Sequence, residues 1–360
     1  MKKLLLAVLA VSTMSSVVDI ACAKDSKDML VVDRNAPNEF ATLPDGVRFP
    51  EGITANPATG DIFVGTFDFG PNANKLMRFG KNGKLAAIKD FGGTPLLGLD
   101  FDAVRGKVYI LNFGASKVQR IAANFDASTP VEDVATLPSI GAPGSRSVGN
   151  PDGSSDTIIF GSNGFPAPNG MTFDRSGGLY VSDSFQGAIF RIANVATCSP
   201  CTPVLQSHDP LLATAGFPPF GANGLALSDD GTTLYIANTG DSRVLTINVA
   251  TKAVAVFTES IAGADGLTRD DDGRLWVAAN QADEIVALNE RGRVTMRLGE
   301  FQGIGKDGTP KGLLFPASMV IVGDWMYVTN LSLPLTAAVG DEPEEDVTRW
   351  TIARMKLPKP

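Results

Sequence analysis

The sequence predicts an all-β chain, a six-bladed β-propeller of four-stranded blades whose ring is closed by an N-terminal strand. Three observations point there. First, one phrase recurs six times at spacings of roughly 40 to 50 residues. Its clearest copy is APNGMTFDRSGGLYVSD, from Ala167 to Asp183, and it returns from Ala222 to Gly240 and from Ala264 to Ala282. Looser copies run from Pro50 to Phe67, Leu96 to Gly114 and Pro316 to Ser332. Second, each copy is two alternating apolar runs around a short polar, glycine-bearing turn, the pattern of an antiparallel strand pair. Third, glycine and proline are plentiful, with 38 and 23 residues, and no apolar stripe of helical period appears. The 360 residues fit one repeat domain as readily as two average ones.

The first 23 residues read as a leader rather than as fold. Met1-Lys2-Lys3 is a basic start, Leu4 to Val11 an apolar run too short to span a bilayer, and Ala21-Cys22-Ala23 an A-x-A cleavage site. Cys22 raises a lipoprotein alternative, but Asp19 stands where a lipobox needs an apolar residue. The expected mature domain is therefore residues 24–360, exported to the periplasm or secreted, with no membrane insertion once the leader is cleaved. Cys198 and Cys201 then face an oxidising compartment, and a local disulfide stapling a loop is preferred to a redox motif, because no βαβ pattern surrounds them. The net charge of −8 argues against nucleic acid as a partner.

In chain order, Asn38 to Pro44 is an extended piece ahead of the first repeat. Blade one takes Ile53 to Asn56, Asp61 to Phe67, Lys75 to Phe79 and Leu85 to Phe91. Blade two takes Gly98 to Phe101, Val108 to Asn112, Lys117 to Ile121 and Val131 to Leu137. Blade three takes Gly170 to Phe173, Leu179 to Asp183, Ala188 to Ile192 and Val204 to Gln206. Blade four takes Leu225 to Leu227, Leu234 to Ala237, Arg243 to Asn248 and Ala253 to Phe257. Blade five takes Leu267 to Arg269, Leu275 to Ala278, Glu284 to Leu288 and Val294 to Leu298. Blade six has Ser318 to Val322, Met326 to Thr329 and Val347 to Met355, and lacks a fourth strand. The N-terminal piece supplies it, which removes the open sheet edge a propeller must avoid.

Aligned on their inner strands, the six units place Glu51, Leu97, Asn169, Asn223, Asp265 and Ala317 at one phase, all expected at one mouth of the central channel. Leu97 and Ala317 show that the fold does not demand a polar side chain there. Any single Asn-Gly or Asp-Gly is a common turn dipeptide. Four oxygen donors at one phase, including Glu51, a poor turn former, instead suggest a metal site of Glu51, Asn169, Asn223 and Asp265. Two carboxylates and two amides suit a hard divalent cation, calcium best. Zinc is disfavoured, because one histidine cannot build its shell.

A second set, at the ends of the second strands, is Asp68, Asn112, Asp183, Asn238, Asn280 and Asn330. Each is more readily a residue that holds a turn by side-chain bonding than part of a pocket rim, with Asp183 and Asn280 the pair to test. The connections Ser139 to Pro168, Ser207 to Ala222, Phe301 to Phe315 and Leu331 to Asp346 are expected on the metal face, as a lid or specificity wall. His208 sits in one of them, more readily a solvated or structural group than a catalytic one. No G-x-S-x-G elbow occurs.

At Glu51-Gly52, Asn169-Gly170, Asn223-Gly224 and Asp265-Gly266 the chain resembles the senescence marker protein (regucalcin)/gluconolactonase family of six-bladed calcium propellers. The same Glu, Asn, Asn, Asp order is similar to diisopropyl fluorophosphatase and, more distantly, to paraoxonase. The resemblance implies that these four residues are metal ligands and that Asp265, with Glu51 beside it, is the catalytic candidate as base or nucleophile. The expected function is hydrolysis of a lactone or related ester, a small-molecule substrate, with a divalent cation polarising the carbonyl. The rival expectations are organophosphate hydrolysis at the same site, and a non-enzymatic NHL-like binding propeller stiffened by a structural cation.

Overall fold

The computed structural model describes residues 30–71, 73–161, 165–336 and 342–358. The expected leader, residues 1–23 with Cys22, lies outside them.

Short alternating runs fold as hairpins here because polar side chains close the turns. In blade three the Asp174 Oδ1 accepts from the amides of Ser176 and Gly178, both at 2.8 Å, while Gly177 takes the left-handed φ of +79°. Six four-stranded antiparallel units result; five run inner to outer along the chain, and the sixth takes its outer strand from the N-terminal segment. Blade one is Pro50–Asn56, Asp61–Thr66, Asn74–Phe79 and Leu85–Gly92; blade two is Leu96–Asp102, Lys107–Asn112, Lys117–Ala122 and Glu132–Thr136. Blade three is Pro168–Phe173, Leu179–Asp183, Ala188–Ile192 and Val204–His208; blade four is Ala222–Leu227, Thr233–Asn238, Arg243–Asn248 and Val254–Glu259. Blade five is Ala264–Arg269, Leu275–Ala279, Glu284–Leu288 and Val294–Leu298; blade six is Pro316–Val322, Trp325–Asn330, Thr351–Lys356 and, as its outer strand, Asn38–Thr42. The inner strands touch in sequence around the ring, with blade six against blade one. The molecule is a six-bladed β-propeller.

Each joint between blades has its own apolar filling. Phe63 and Leu76 pack with Val108 and Ile110 between blades one and two, and Tyr109 and Leu111 with Val181 and Phe190 between two and three. Between five and six, Trp276 and Ile285 meet Met326 and Val328. Two-faced burial of every blade is what the alternating residues supply.

The expected closure is present: Asn38–Thr42 pairs antiparallel with the last strand, Asn38 opposite Arg354 and Thr42 opposite Thr351. Three features go beyond the expectation. Val31–Asp33 adds a fifth strand to blade five, parallel to its outer strand, so the N-terminal segment clasps blade five and blade six together. The connection after blade two carries a hairpin, Arg146–Gly149 with Ser155–Ile158, and the one after blade five carries another, Phe301–Ile304 with Pro310–Gly312. The third strand of blade six begins at Thr351 rather than Val347, because a short 3₁₀ turn at Pro343–Asp346 precedes it. Cys198 and Cys201 are joined by a disulfide in the loop before the outer strand of blade three. Among the described residues no helix is long and apolar enough to cross a membrane.

Candidate functional site

The dipeptides that look like turns lie on strands. Every inner strand breaks register with its neighbour at the same place, for example between Pro168 and Met171, Ala222 and Leu225, and Ala264 and Leu267. Such a bulge re-aims a side chain. Here it turns Glu51, Asn169, Asn223 and Asp265 into one central cavity, with Leu97 beside them. The glycine that follows is a packing requirement. A Cβ on Gly224 would meet Leu267 N at 2.6 Å and the Gly266 Cα at 2.8 Å, backbone of the adjoining inner strand. The bulge amide is satisfied by a hydroxyl from the second strand: Gly170 N donates to Ser182 Oγ at 2.7 Å, and that hydroxyl donates to Asn223 O in the next blade, also at 2.7 Å.

The four oxygen donors are buried, none more than 6% exposed. Their amide groups are anchored from behind. Asn169 Nδ2 donates to Ser184 Oγ and Asn223 Nδ2 to Thr239 Oγ1, both at 2.9 Å, and these hydroxyls donate on to Ala222 O and Ala264 O. Asn280 Nδ2 donates to Asp265 Oδ2 at 3.0 Å. With the nitrogens spoken for, the oxygens are left over: Glu51 Oε2, Asn169 Oδ1, Asp265 Oδ1 and Asn280 Oδ1 are buried without a hydrogen-bond partner. Buried acceptors without partners are rare in folded proteins. Those of Glu51, Asn169 and Asp265, with no lysine, arginine or histidine among the residues around the cavity, form an electron-rich nest that a cation fits, whereas Asn280 Oδ1 lies against Gly263. Among the described residues no three His, Cys, Asp or Glu side chains converge as a metal cluster, so any shell here depends on the amides as well as the two acids.

Burial pushes the Glu51 carboxyl well above its usual range, and the neighbouring Asp265 raises it further. Burial likewise pushes Asp265 up to about 7, against the pull of hydrogen bonds from Asn280 and Asn223.

The second set of residues divides. The residues that pair with the bulge entry are Thr66, Asn112, Asp183, Asn238, Ala279 and Asn330. Asp68 and Asn280 are therefore out of phase with the rest. Asp183 is fully committed: Oδ1 accepts from the amides of Ala167, Phe185 and Gln186, and Oδ2 from Gln186 Nε2 at 2.7 Å. It holds loops and does not reach the cavity. Asn112, Asn238 and Asn330 do the same work, and Asp68 takes two hydrogen bonds from Arg48. Asn280 does line the cavity. His208 does not; it ends the outer strand of blade three, its Nε2 buried without a partner.

One residue further along, the ring reads Phe67, Phe113, Ser184, Thr239, Asn280 and Leu331. Blades three, four and five carry the polar three, each hydrogen-bonded to the donor of its own blade. Blades six, one and two carry the apolar three. Sequence reasoning passed over this ring, although the Ser184 and Thr239 hydroxyls stand at one phase of two repeats. The cavity is narrow, with a volume of about 50 Å³, and it opens to solvent. Three of the four long connections supply its upper wall, through Pro218 and Phe220, Phe315, and Leu331, Leu333 and Leu335.

Residues 218–299 match the family described as SMP-30/Gluconolactonase/LRE-like region, which covers blades four and five with Asn223 and Asp265. No curated protein matches the chain in sequence. Among solved structures the chain is similar to a calcium-binding protein, regucalcin, from Agrobacterium tumefaciens, at 16% identity over 91% of this chain and 97% of that one, TM-score 0.58. It is similar to a gluconolactonase from Xanthomonas campestris, at 14% identity over 88% of each chain, TM-score 0.53. It is also similar to virginiamycin B lyase from Staphylococcus aureus, at 15% identity over 89% of this chain and 99% of that one, TM-score 0.53. At these identities the likeness establishes the fold, and that one scaffold serves a binder, a hydrolase and a lyase.

Proposed function

We propose that this chain is a divalent-cation-dependent hydrolase of a lactone or related ester, working at the mouth of its central channel. The family match over 218–299 and the gluconolactonase and regucalcin neighbours support a lactonase-like hydrolase. The observation that carries the reading is the set of unpartnered buried oxygens on Glu51, Asn169 and Asp265 at one central cavity with an apolar wall. Glu51, Asn169, Asn223 and Asp265 would hold the cation, calcium by the hardness of their oxygens. Bound there, it supplies Lewis-acid polarisation of a carbonyl and charge to balance a developing oxyanion.

The chain's own residues do the rest. Asp265 takes the proton of an attacking water, or attacks the carbonyl directly. Asn280 fixes the rotamer of Asp265 through Oδ2, which leaves Oδ1 free to face the cavity. Ser184 and Thr239 keep the amide oxygens of Asn169 and Asn223 turned inward, the support that ligand side chains need. The apolar wall thins the water around the carboxylates and so strengthens every charge interaction among them.

Hydrolysis of a set of simple lactones, followed by acid release, tests the proposal: turnover should vanish with chelator and return with calcium. Turnover unaffected by chelation would sink cation dependence. A panel with no turnover at all would leave a binding propeller. We also propose that the protein works outside the cytoplasm, on the strength of the leader-like residues 1–23 and the Cys198–Cys201 disulfide. Two reactive thiols in protein taken from the exported fraction would count against that.

A further inference from the structure

We propose that the substrate of this site is an uncharged lactone or ester whose non-reacting part is hydrocarbon, seated against blades six, one and two, and not a polyhydroxylated sugar lactone. The inference rests on the hydrolase reading and names the substrate class for it.

The cavity has two chemically distinct halves. Its polar groups, Glu51, Asn169, Asn223, Thr239, Asp265 and Asn280, form the floor and the side of blades three to five. Everything else around it is carbon. Phe67 and Leu331 come from the ring that is polar in the opposite blades, and Leu97 replaces a donor in the ring below. Above them stand Phe220, Phe315 and the alternating Leu331, Leu333 and Leu335. These leucines belong to an irregular segment that bends at Ser332, whose φ is +43°, and is tied at its start. Ser332 Oγ donates to Leu314 O at 3.2 Å, and Trp350 Nε1 donates to Leu331 O at 3.1 Å. The segment is thus pinned at Leu331 and Ser332, and Leu335 N donates to a Glu342 carboxylate oxygen further on.

The carbon surface continues outward. Phe67 meets Phe69 edge-on at 4.9 Å between ring centroids and Phe113 at 5.4 Å; Phe113 meets Phe165 at 5.3 Å and Phe185 at 5.6 Å. Phe69 and Phe165 are 69% and 38% exposed, so an aromatic track runs from solvent to the cavity. Exposed phenylalanines contiguous with a buried apolar pocket mark a ligand surface rather than scattered surface residues.

This wall decides between substrate classes. Several sugar hydroxyls placed against it would leave water and find no partner, and each unpaired polar group is penalised. An anionic tail would find no basic side chain among the residues around the cavity, and the two floor carboxylates would repel it. A hydrocarbon substituent gains instead from each methylene buried, by about three- to fourfold in affinity.

The test uses the whole mature chain with calcium present. One arm measures binding of non-hydrolysable γ-lactams carrying alkyl substituents of increasing length, beside the lactam of a gluconic acid. The other measures kcat/KM for the matching lactones. Affinity and kcat/KM should both climb about threefold per methylene over the first several carbons, with the polyhydroxylated compounds weakest. Leu333→Gln and Phe220→Ala should flatten that slope. A flat lactam series, or tighter binding of the hydroxylated lactam, overturns the inference; if gluconolactone is then turned over in a calcium-dependent way, the hydrolase reading survives alone. A rising lactam series with no lactone hydrolysed does the reverse: the apolar occupant stands and the hydrolase reading fails.

Discussion

Gly224→Ala puts the packing account of the site at risk. The added Cβ would lie 2.6 Å from Leu267 N and 2.8 Å from the Gly266 Cα, and closer still to Asp265 O, all backbone of blade five's inner strand. Real Cβ atoms do not approach backbone so closely, and no side chain can rotate away. Blade five must shift relative to blade four. Overpacking a close joint costs about 1–3 kcal/mol, and backbone obstruction on three sides places this change at the upper end. For a chain of this length that lowers the melting temperature by roughly 3–4 °C. Because the displaced strand carries Asp265, calcium affinity should fall as well. Gly144→Ala is the control, since nothing lies within 4 Å of its added Cβ and its φ is ordinary. Calorimetric melting of both variants, with and without calcium, reads both effects. A Gly224→Ala protein that melts with Gly144→Ala and binds calcium as wild type does would refute the packing of the bulge glycines.

The anchoring hydroxyls give a second expectation. Ser184→Ala and Thr239→Val should each weaken calcium binding about 10- to 100-fold, as loss of a supporting partner does, and unchanged affinity in calorimetric titration would show that the amides need no anchor. The pH dependence of the chelated protein gives a third. Asp265 is pushed up to about 7 and Glu51 is raised too, so the native state holds protons that the unfolded chain has released. Stability of the chelated protein should therefore fall as pH climbs from about 4 to about 7, by more in wild type than in Asp265→Asn, and calcium should erase the fall. Melting curves across that range decide it, and a chelated wild type that gains stability over the window contradicts the buried acid pair. Removing residues 30–45 takes away both clasping strands and exposes the edges of Val294–Leu298 in blade five and Thr351–Lys356 in blade six. Light scattering should then show aggregation, and a monodisperse, equally stable product would show that the clasp is dispensable.

The fold was legible because a propeller repeats one supersecondary unit, so the phrase around Asn169-Gly170 announces both blade number and inner-strand phase. The same logic picked out a candidate site, whose four residues line one cavity: Leu97 and Ala317 mark the position as free of structural need, which makes oxygen donors at the other four stand out. Legibility failed where phase is set by pairing rather than by residue type. The second strands were aligned on their terminal Asx residues, but register places Thr66 and Ala279 opposite the bulge entry, not Asp68 and Asn280. That slip hid Ser184 and Thr239, which share the phase of Asn280. The apolar wall was hidden for another reason, because Phe220, Phe315 and Leu333 come from unrepeated connections. Val31–Asp33 was missed because three residues carry no periodicity.

The central claim is that the oxygens of Glu51, Asn169, Asn223 and Asp265 converge on one cation that the hydrolysis needs. Its most direct test is calorimetric titration of calcium into the chelated wild-type chain and into Asp265→Ala, with lactone turnover followed on the same samples. Saturable binding of one calcium per chain is expected in wild type, with loss of both binding and turnover in Asp265→Ala. Equal calcium affinity in the two proteins, or turnover that persists in the variant, would contradict it.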